Sequence, residues 1–271
     1  KNMIKIFHER IAPIQINYLG FPGTTGISNM DFLLADEYVI PKKSQQYYSE
    51  KIIRMPNSFI NSIKYKYNPS KNVKEINSLP TESIVLAAFH KTSKLSEEVV
   101  DAWANILRRS ENTYLWLKKP VNMAKENLLS FFNSRKIDNN RILFAESVSS
   151  YEKHVARYSS ADIFLDTFNY NGHSTLVECI WSEIPFVTLL GQTFASRVGG
   201  SILHSLDLDE LICKSNEEYI EKVVFYSLNK QKLEVLKNKI NIQKNNSAFF
   251  NQKLFTKNLE KIYESILRTH N

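Results

Sequence analysis

In Asn171-Gly172-His173-Ser174-Thr175-Leu176-Val177-Glu178, a glycine, two adjacent hydroxyl side chains and a carboxylate lie within eight residues. The segment follows a strand-like run, Ile163-Phe164-Leu165-Asp166, and opens into a helix-like one, Cys179-Ile180-Trp181. A strand-to-helix turn of this composition presents unpaired backbone N–H groups and side-chain O–H groups to an anion. The helix dipole adds roughly half a positive charge there. Glu178 lies four residues from Ser174 and three from Thr175, which puts it on their helical face. The set suits a nucleotide diphosphate: hydroxyls and amides for the phosphates, a carboxylate for a ribose diol. Ser and Thr are also ordinary N-cap residues, so the segment alone leaves a phosphate site and a plain helix cap both open.

Two other loops carry complementary chemistry. His90-Lys91-Thr92-Ser93-Lys94 follows the apolar run Ser83 to Phe89. A lysine at the carboxyl end of a strand can neutralise a phosphate that departs during reaction, or it can be a solvated turn residue. Ser149-Ser150-Tyr151-Glu152-Lys153-His154-Val155-Ala156-Arg157 follows the run Ile142 to Phe144. There Ser149 and Glu152 read as a capping box that starts a helix. His154 and Arg157, three apart, share a face of that helix, and an imidazole with a guanidinium suits a nucleobase. A surface helix of mixed charge is the competing reading. Three loops at strand ends, each with fitting chemistry, make a stronger case together than any one of them.

The elements that must position these loops form a β/α alternation. Ser83 to Phe89 is continuously apolar, as expected for a buried parallel strand. Thr113 to Leu117, Arg141 to Phe144, Ile163 to Asp166 and Phe186 to Leu189 are further strands. Helices are expected over Glu97 to Leu107, Val121 to Lys136, Tyr151 to Tyr158, Thr175 to Trp181 and Phe194 to Leu206. This spacing predicts an α/β fold with a doubly wound, mostly parallel sheet, whose ligands bind outside the carboxyl ends of the strands. Residues to about 75 read as a piece of another unit. They comprise a strand Ile14 to Leu19, a loop Gly20 to Gly26, an apolar run Phe32 to Ala35 and a short strand Lys51 to Arg54. These are too few to close a sheet of their own. Residues 61–80 read as a linker, and beyond about 216 the chain is helical, ending on a stripe of Leu259, Ile262, Tyr263 and Ile266.

With 271 residues and 43% hydrophobic content the chain can bury a substantial core. No apolar run approaches membrane-spanning length, and Cys179 and Cys213 show no metal-ligand or disulfide spacing. The expectation is a cytoplasmic protein with no metal. The +7 formal charge comes from dispersed lysines without a basic block, so nucleic acid is not expected as a partner.

Several runs resemble the catalytic region of protein O-GlcNAc transferases, glycosyltransferase family 41. They include Ala12-Pro13-Ile14-Gln15, Leu19-Gly20-Phe21-Pro22-Gly23-Thr24-Thr25-Gly26, Tyr48-Ser49-Glu50-Lys51, Asn171-Gly172-His173-Ser174-Thr175 and Gly191-Gln192-Thr193-Phe194-Ala195-Ser196-Arg197-Val198. The resemblance implies a GT-B architecture. Residues 1–75 would be the end of the acceptor-side lobe plus a linker, and 76–250 a Rossmann-like nucleotide-sugar-binding lobe. Residues 251–271 would be a C-terminal helix packing back across the lobes. It implies Lys94 as the residue stabilising the UDP leaving group, with Lys91 near the diphosphate. His154 and Arg157 would meet the uracil, with the Ser149 backbone beside it. Ser174 and Thr175 would lie at the diphosphate, Glu178 at the ribose and Gly20 in the loop that approaches the sugar, with His173 also among the donor-binding residues.

Tyr151 stands where a lysine is common in this family, and Ser174 and Glu178 replace the more usual Thr and Asp. Helical repeats and the first half of the N-terminal lobe do not precede Ala12, so the chain reads as an N-terminally incomplete, bacterial member. The implied activity is inverting, metal-independent transfer of N-acetylglucosamine from UDP-GlcNAc to Ser or Thr hydroxyls of an acceptor protein or peptide, with no cofactor. The alternatives are a non-catalytic or partner-dependent nucleotide-sugar-binding fragment, or a relative using GDP-fucose or UDP-glucose.

Overall fold

The computed structural model describes residues 4–61 and 74–270. Residues 62–73 of the expected linker lie outside the described residues, and its later part contains a 3-10 turn at Glu75–Asn77.

Three strands open the chain: β1 (Ile16–Asn17), β2 (Phe32–Asp36) and β3 (Lys51–Met55). They pair in parallel, β2 against β3 over five residues from Phe32 opposite Lys51 to Asp36 opposite Met55. This corrects the expectation that the segment could not form a sheet. β2, the central strand, is buried along its whole length, and α8 from the end of the chain contacts β3 beside it. β1 is shorter than the alternation over Ile14 to Leu19 suggested. Leu19 turns into the left-handed region at φ 61°, which ends the extended run.

The second sheet is built from β4 (Ile84–Ala88), β5 (Thr113–Lys118), β6 (Ile142–Ala145), β7 (Ile163–Leu165), β8 (Phe186–Leu189) and β9 (Ile212–Cys213). All pairs are parallel and the order is β6-β5-β4-β7-β8-β9. The chain winds outward from β4 in one direction, returns, and winds outward from β7 in the other. The loops after β4 and β7 therefore flank the switch point, where such sheets leave a crevice. The two-residue β9 is too short for any sequence period to reveal it.

Helices α1 (Glu97–Arg109), α2 (Asn122–Ser134), α3 (Tyr151–Ala156), α4 (Ser174–Trp181) and α5 (Val198–His204) alternate with these strands. α6 (Asn216–Leu228), α7 (Lys230–Asn246) and α8 (Gln252–His270) complete the chain. In α1, Ser96 accepts the Val99 N–H, acidic residues occupy the first turn and arginines the last, all complementing the dipole. Its Val99, Val100, Trp103, Ile106 and Leu107 are buried. Two expected helices are interrupted: Arg157 begins a 3-10 turn after α3, and Phe194–Ser196 forms another before α5. The start of α3 also differs. Its cap is Ser150, whose side chain accepts the Lys153 N–H, rather than a Ser149–Glu152 box.

The two sheets meet through α5 and α8. The Asp36 carboxylate at the end of β2 accepts the N–H groups of Tyr38, Val39 and Phe59 at 2.8–2.9 Å. It also accepts the Ser201 hydroxyl of α5 at 2.6 Å. Arg197 Nε donates to the Tyr38 carbonyl at 2.8 Å, and Phe59 packs edge-on against Phe194. α8 contacts β3 and the 3-10 turn at Ala248–Phe250. Burial raises the Asp36 carboxyl, and the four donors pull against that. Asp36→Ala strands those donors in a buried site. We expect a loss of about 2–4 kcal/mol in urea denaturation, since each unmet donor costs roughly 1–3 kcal/mol before relaxation. A loss below about 0.5 kcal/mol would show that the joint is not held by this carboxylate.

Candidate functional site

The α4 turn is shaped from beneath by Asp166. This carboxylate, at the end of β7 and fully buried, accepts the Gly172 N–H at 2.7 Å, the Thr167 N–H at 2.9 Å and the Thr188 hydroxyl at 2.7 Å. Burial drives its pKa up to about 7, while those donors and the nearby Lys94 charge oppose the rise. Asn171 locks the other side. Its amide nitrogen donates to the Thr167 carbonyl at 2.7 Å, and its side-chain oxygen accepts the Gly199 N–H at 3.1 Å. Held this way, the turn delivers Ser174 and Thr175 as the first two residues of α4. The helix N-cap is His173, and no side chain caps it. The plain-cap reading of Ser174 and Thr175 therefore fails. Their amides head the helix with no carbonyl one turn back to receive them, and the Ser174 side chain is exposed.

Across the switch point, Lys94 reaches over from the loop after β4. Its ammonium donates to the Asn171 carbonyl at 2.8 Å and lies 4.1 Å from the centre of the Tyr170 ring. Burial lowers its pKa. Asp166 works to raise it, and Lys91, exposed on the same loop, lowers it. Two imidazoles border this charge. His90 is buried, with its Nε2 2.9 Å from the Leu165 carbonyl oxygen, and desolvation pushes its pKa down to about 4. Desolvation, then the Lys94 charge, brings His173 to about 4 as well. Both rings are thus neutral near pH 7 and add no charge beside Lys94. Among the described residues His173 Nε2 has no hydrogen-bond partner.

One cavity is lined by the turn itself, and another opens at α3. The latter, of about 490 Å³, lies beyond the ends of β5 and β6 and is lined by Phe89, Lys118, Ser149, Tyr151, His154 and Arg157 among others. Arg157 lies over the Phe89 ring and donates to the Glu146 carbonyl at 3.1 Å. Glu178 of α4 is tied to two residues that line this cavity, Tyr151 and His154. It is buried, accepting the Tyr151 hydroxyl at 2.6 Å and the Tyr158 hydroxyl at 2.9 Å, with His154 Nε2 at 3.5 Å. Burial raises its pKa, but the hydrogen bonds from His154, Tyr151 and Tyr158 outweigh that and leave it below the usual carboxylate range. The helical spacing had put Glu178 beside the hydroxyls of Ser174 and Thr175. The structure adds what that spacing does not show, that the carboxylate is held by Tyr151 and Tyr158 from α3 and the turn after it.

The other cavity, of about 340 Å³, lies between the two sheets. Leu19, Phe21 and Pro22 wall it from the first sheet, Phe59 and Asn61 from the segment after β3, and His173, Ser174 and Val177 from α4. Gly20 is exposed and does not line it, although both its neighbours do. Sequence reasoning passed over Asp166, Tyr170 and Asn171 as site-shaping residues. The one available signal was an Asp at the carboxyl end of an apolar strand, directly before the glycine turn.

A family model for glycosyl transferase family 41 matches residues 2–69 and 68–259. The chain belongs to that family. Among curated relatives of this family, it is 34% identical over 273 aligned positions to a probable UDP-N-acetylglucosamine–peptide N-acetylglucosaminyltransferase, SEC, of Arabidopsis thaliana. The match covers 98% of this chain and 28% of that protein. A tomato (Solanum lycopersicum) relative with the same enzyme name, SPINDLY, is 28% identical and matched over 96% of this chain and 28% of its own length. The chain thus spans less than a third of these family 41 relatives. Among solved structures, a mutant O-GlcNAc transferase of Thermobaculum terrenum superposes with a TM-score of 0.87 at 27% identity. That match covers 96% of this chain and 49% of the other. A sucrose-phosphate synthase of Thermosynechococcus elongatus, at 12% identity and a TM-score of 0.62 over 89% of this chain and 60% of its own, shares the fold alone. The architecture is that of GT-B glycosyltransferases, with parallel sheets on both sides of the cleft. Among the described residues no helix is long and apolar enough to cross a membrane, and no cluster of three His, Cys, Asp or Glu could hold a metal ion.

Proposed function

We propose that this family 41 chain holds the nucleotide-sugar site of a protein O-GlcNAc transferase, which moves N-acetylglucosamine from UDP to Ser or Thr hydroxyls by inversion and without a metal. The observation that carries the reading is the α4 N-terminus, which lines the cavity between the sheets, is joined through Glu178 to Tyr151 of the α3 cavity and is faced by Lys94. A diphosphate on the Ser174 and Thr175 amides and hydroxyls spans the turn. Its uracil enters the cavity of His154 and Arg157, and its sugar the cavity between the sheets. Glu178 takes a ribose hydroxyl only in exchange for the Tyr151 hydroxyl it now holds. The acceptor oxygen attacks the anomeric carbon as the bond from that carbon to the β-phosphate oxygen breaks, and the electron pair leaves with UDP. The acceptor proton goes to a base outside the residues named here. Charge grows on the departing diphosphate, where Lys94 and the helix amides are already oriented to receive it.

Both plant relatives are named as probable UDP-N-acetylglucosamine–peptide N-acetylglucosaminyltransferases, which supports the donor and acceptor classes. Calorimetric titration with UDP, GDP and UMP tests the site. UDP is expected to bind at about micromolar strength, at least about tenfold tighter than GDP and UMP. A preference for GDP would move the donor to the fucose class, and no nucleotide binding at all would end the proposal.

A further inference from the structure

The loop Leu19 to Gly26 makes one wall of the cavity between the sheets, yet its backbone is not relaxed. Leu19 sits at φ 61°, a conformation that costs a side-chain-bearing residue about 1 kcal/mol or more unless its surroundings impose it. Two side chains hold the loop that follows it. Asn17 at the end of β1 donates from its amide to the Gly23 carbonyl at 3.0 Å and the Phe21 carbonyl at 3.4 Å. Glu50, immediately before β3, receives the far side of the loop. One carboxylate oxygen accepts the Thr25 N–H at 2.6 Å and the Thr25 hydroxyl at 2.7 Å. The other accepts the Thr24 hydroxyl at 2.7 Å and the Ser49 hydroxyl at 3.1 Å. Glu50 is 1% exposed and has no cationic partner among the described residues, so a buried carboxylate is satisfied wholly by neutral donors. Burial raises its pKa, and the bonds from Thr24 and Thr25 more than offset that. A buried charge without a counter-ion is kept where neutral donors converge on it, and here they converge chiefly from the loop that faces the α4 turn.

We propose that Glu50 is a positioning residue for the sugar side of the site: by clamping Thr24 and Thr25 it sets Leu19, Phe21 and Pro22 against the α4 turn, so that it governs how the sugar of a nucleotide sugar is held while leaving the nucleotide untouched. This rests on the donor reading above. Glu50 is far from the base cavity in sequence and in fold, being seated on the first sheet whereas His154 and Arg157 belong to the second. Asn17 anchors the near half of the loop independently, so loss of Glu50 frees Thr24 to Gly26 first and Leu19 to Pro22 through them.

The test uses Glu50→Gln, which keeps the volume but cannot accept all the donors, and Thr25→Val, which keeps the carboxylate but removes one of the hydroxyls that donate to it. Each is compared with the unaltered chain for UDP and UDP-GlcNAc affinity by calorimetry, and for amide hydrogen exchange at residues 20–26. The expected result is exchange in the loop faster by about tenfold or more, the consequence of losing a charge-assisted hydrogen bond. UDP affinity should stay within about twofold, and the difference between UDP-GlcNAc and UDP should shrink by about fivefold or more. Unchanged discrimination with a loosened loop overturns the proposal, as does a parallel fall in UDP affinity, which would mark Glu50 as a general structural residue. Failure of the unaltered chain to bind UDP overturns the donor reading instead, and is seen before any variant is made.

Discussion

Replacing Lys94 with Ala is expected to cut turnover of the complete enzyme by about 10²–10³-fold while UDP affinity falls by less than about tenfold. The ammonium is half-buried, and it is held by neutral groups, the Asn171 carbonyl at 2.8 Å and the face of Tyr170 at 4.1 Å. Neither partner neutralises it, and the nearest acidic influence, Asp166, lies beneath the turn with its own charge suppressed by burial. A cation kept in place without a contacting carboxylate retains most of its field for an incoming anion. The asymmetry between turnover and affinity has a physical origin. Free UDP in the mutant site can turn its terminal phosphate toward water and recover hydration. In the transition state the sugar still occupies that side, and the new charge has only protein groups to meet it. Lys94→Arg is expected to rescue poorly, since a planar fork needs a different approach from a point charge on a flexible stem. Turnover of Lys94→Ala within about threefold of the unaltered enzyme would remove Lys94 from the mechanism.

Gly172→Ala is expected to deform the α4 turn. A Cβ at this position would lie 2.5 Å from Thr175 Oγ1, 2.8 Å from Leu176 Cγ and 3.2 Å from His90 Cε1. The Thr175 side chain can rotate away. Leu176 and His90 cannot, because both are buried and His90 is tied to the Leu165 carbonyl. The backbone cannot retreat either, since the Gly172 N–H is held by Asp166 at 2.7 Å. The turn must therefore deform. The expected cost is about 1–3 kcal/mol in denaturant unfolding, together with a loss of UDP affinity of about tenfold or more. Gly20→Ala is the matched control. Nothing lies within 4 Å of its would-be Cβ, so a change under about 0.5 kcal/mol is expected. Equal effects at the two glycines would mean that close approach at the turn is not what the glycine serves.

The contrast between these glycines shows where sequence reasoning stops. Both sit in motif-like loops and look equivalent as letters. Only the fold shows that one backbone is pressed between a core leucine and a histidine while the other borders open space. Ser149 and Ser150 pose the same difficulty on a smaller scale. Either could head α3, and the Ser149–Glu152 spacing favoured the wrong one, because a cap is decided by which residue takes the extended backbone. Glu178 is a third case. Helical spacing put it with Ser174 and Thr175, but it cannot report that Tyr151, Tyr158 and His154 converge on that carboxylate from other elements.

Taken alone, the sequence specified what is periodic and local. Unbroken apolar runs such as Ile84–Ala88 and Ile163–Leu165 read as buried parallel strands, and their alternation with amphipathic helices specifies a doubly wound sheet. The glycine-and-hydroxyl turn after β7 and the lysine after β4 were visible for the same reason, since each comes directly after its strand. Tertiary structure settled everything that depends on distant segments meeting. It paired the first three strands into a sheet joined to the later chain through α5 and α8, and brought Lys94 across the switch point onto Asn171 and Tyr170. It also withdrew Glu178 into a cage of hydroxyls and gave Glu50 the loop it clamps. Backbone periodicity is written within a few residues. The surroundings of a buried charge depend on donors from several elements, and only the folded chain brings those together.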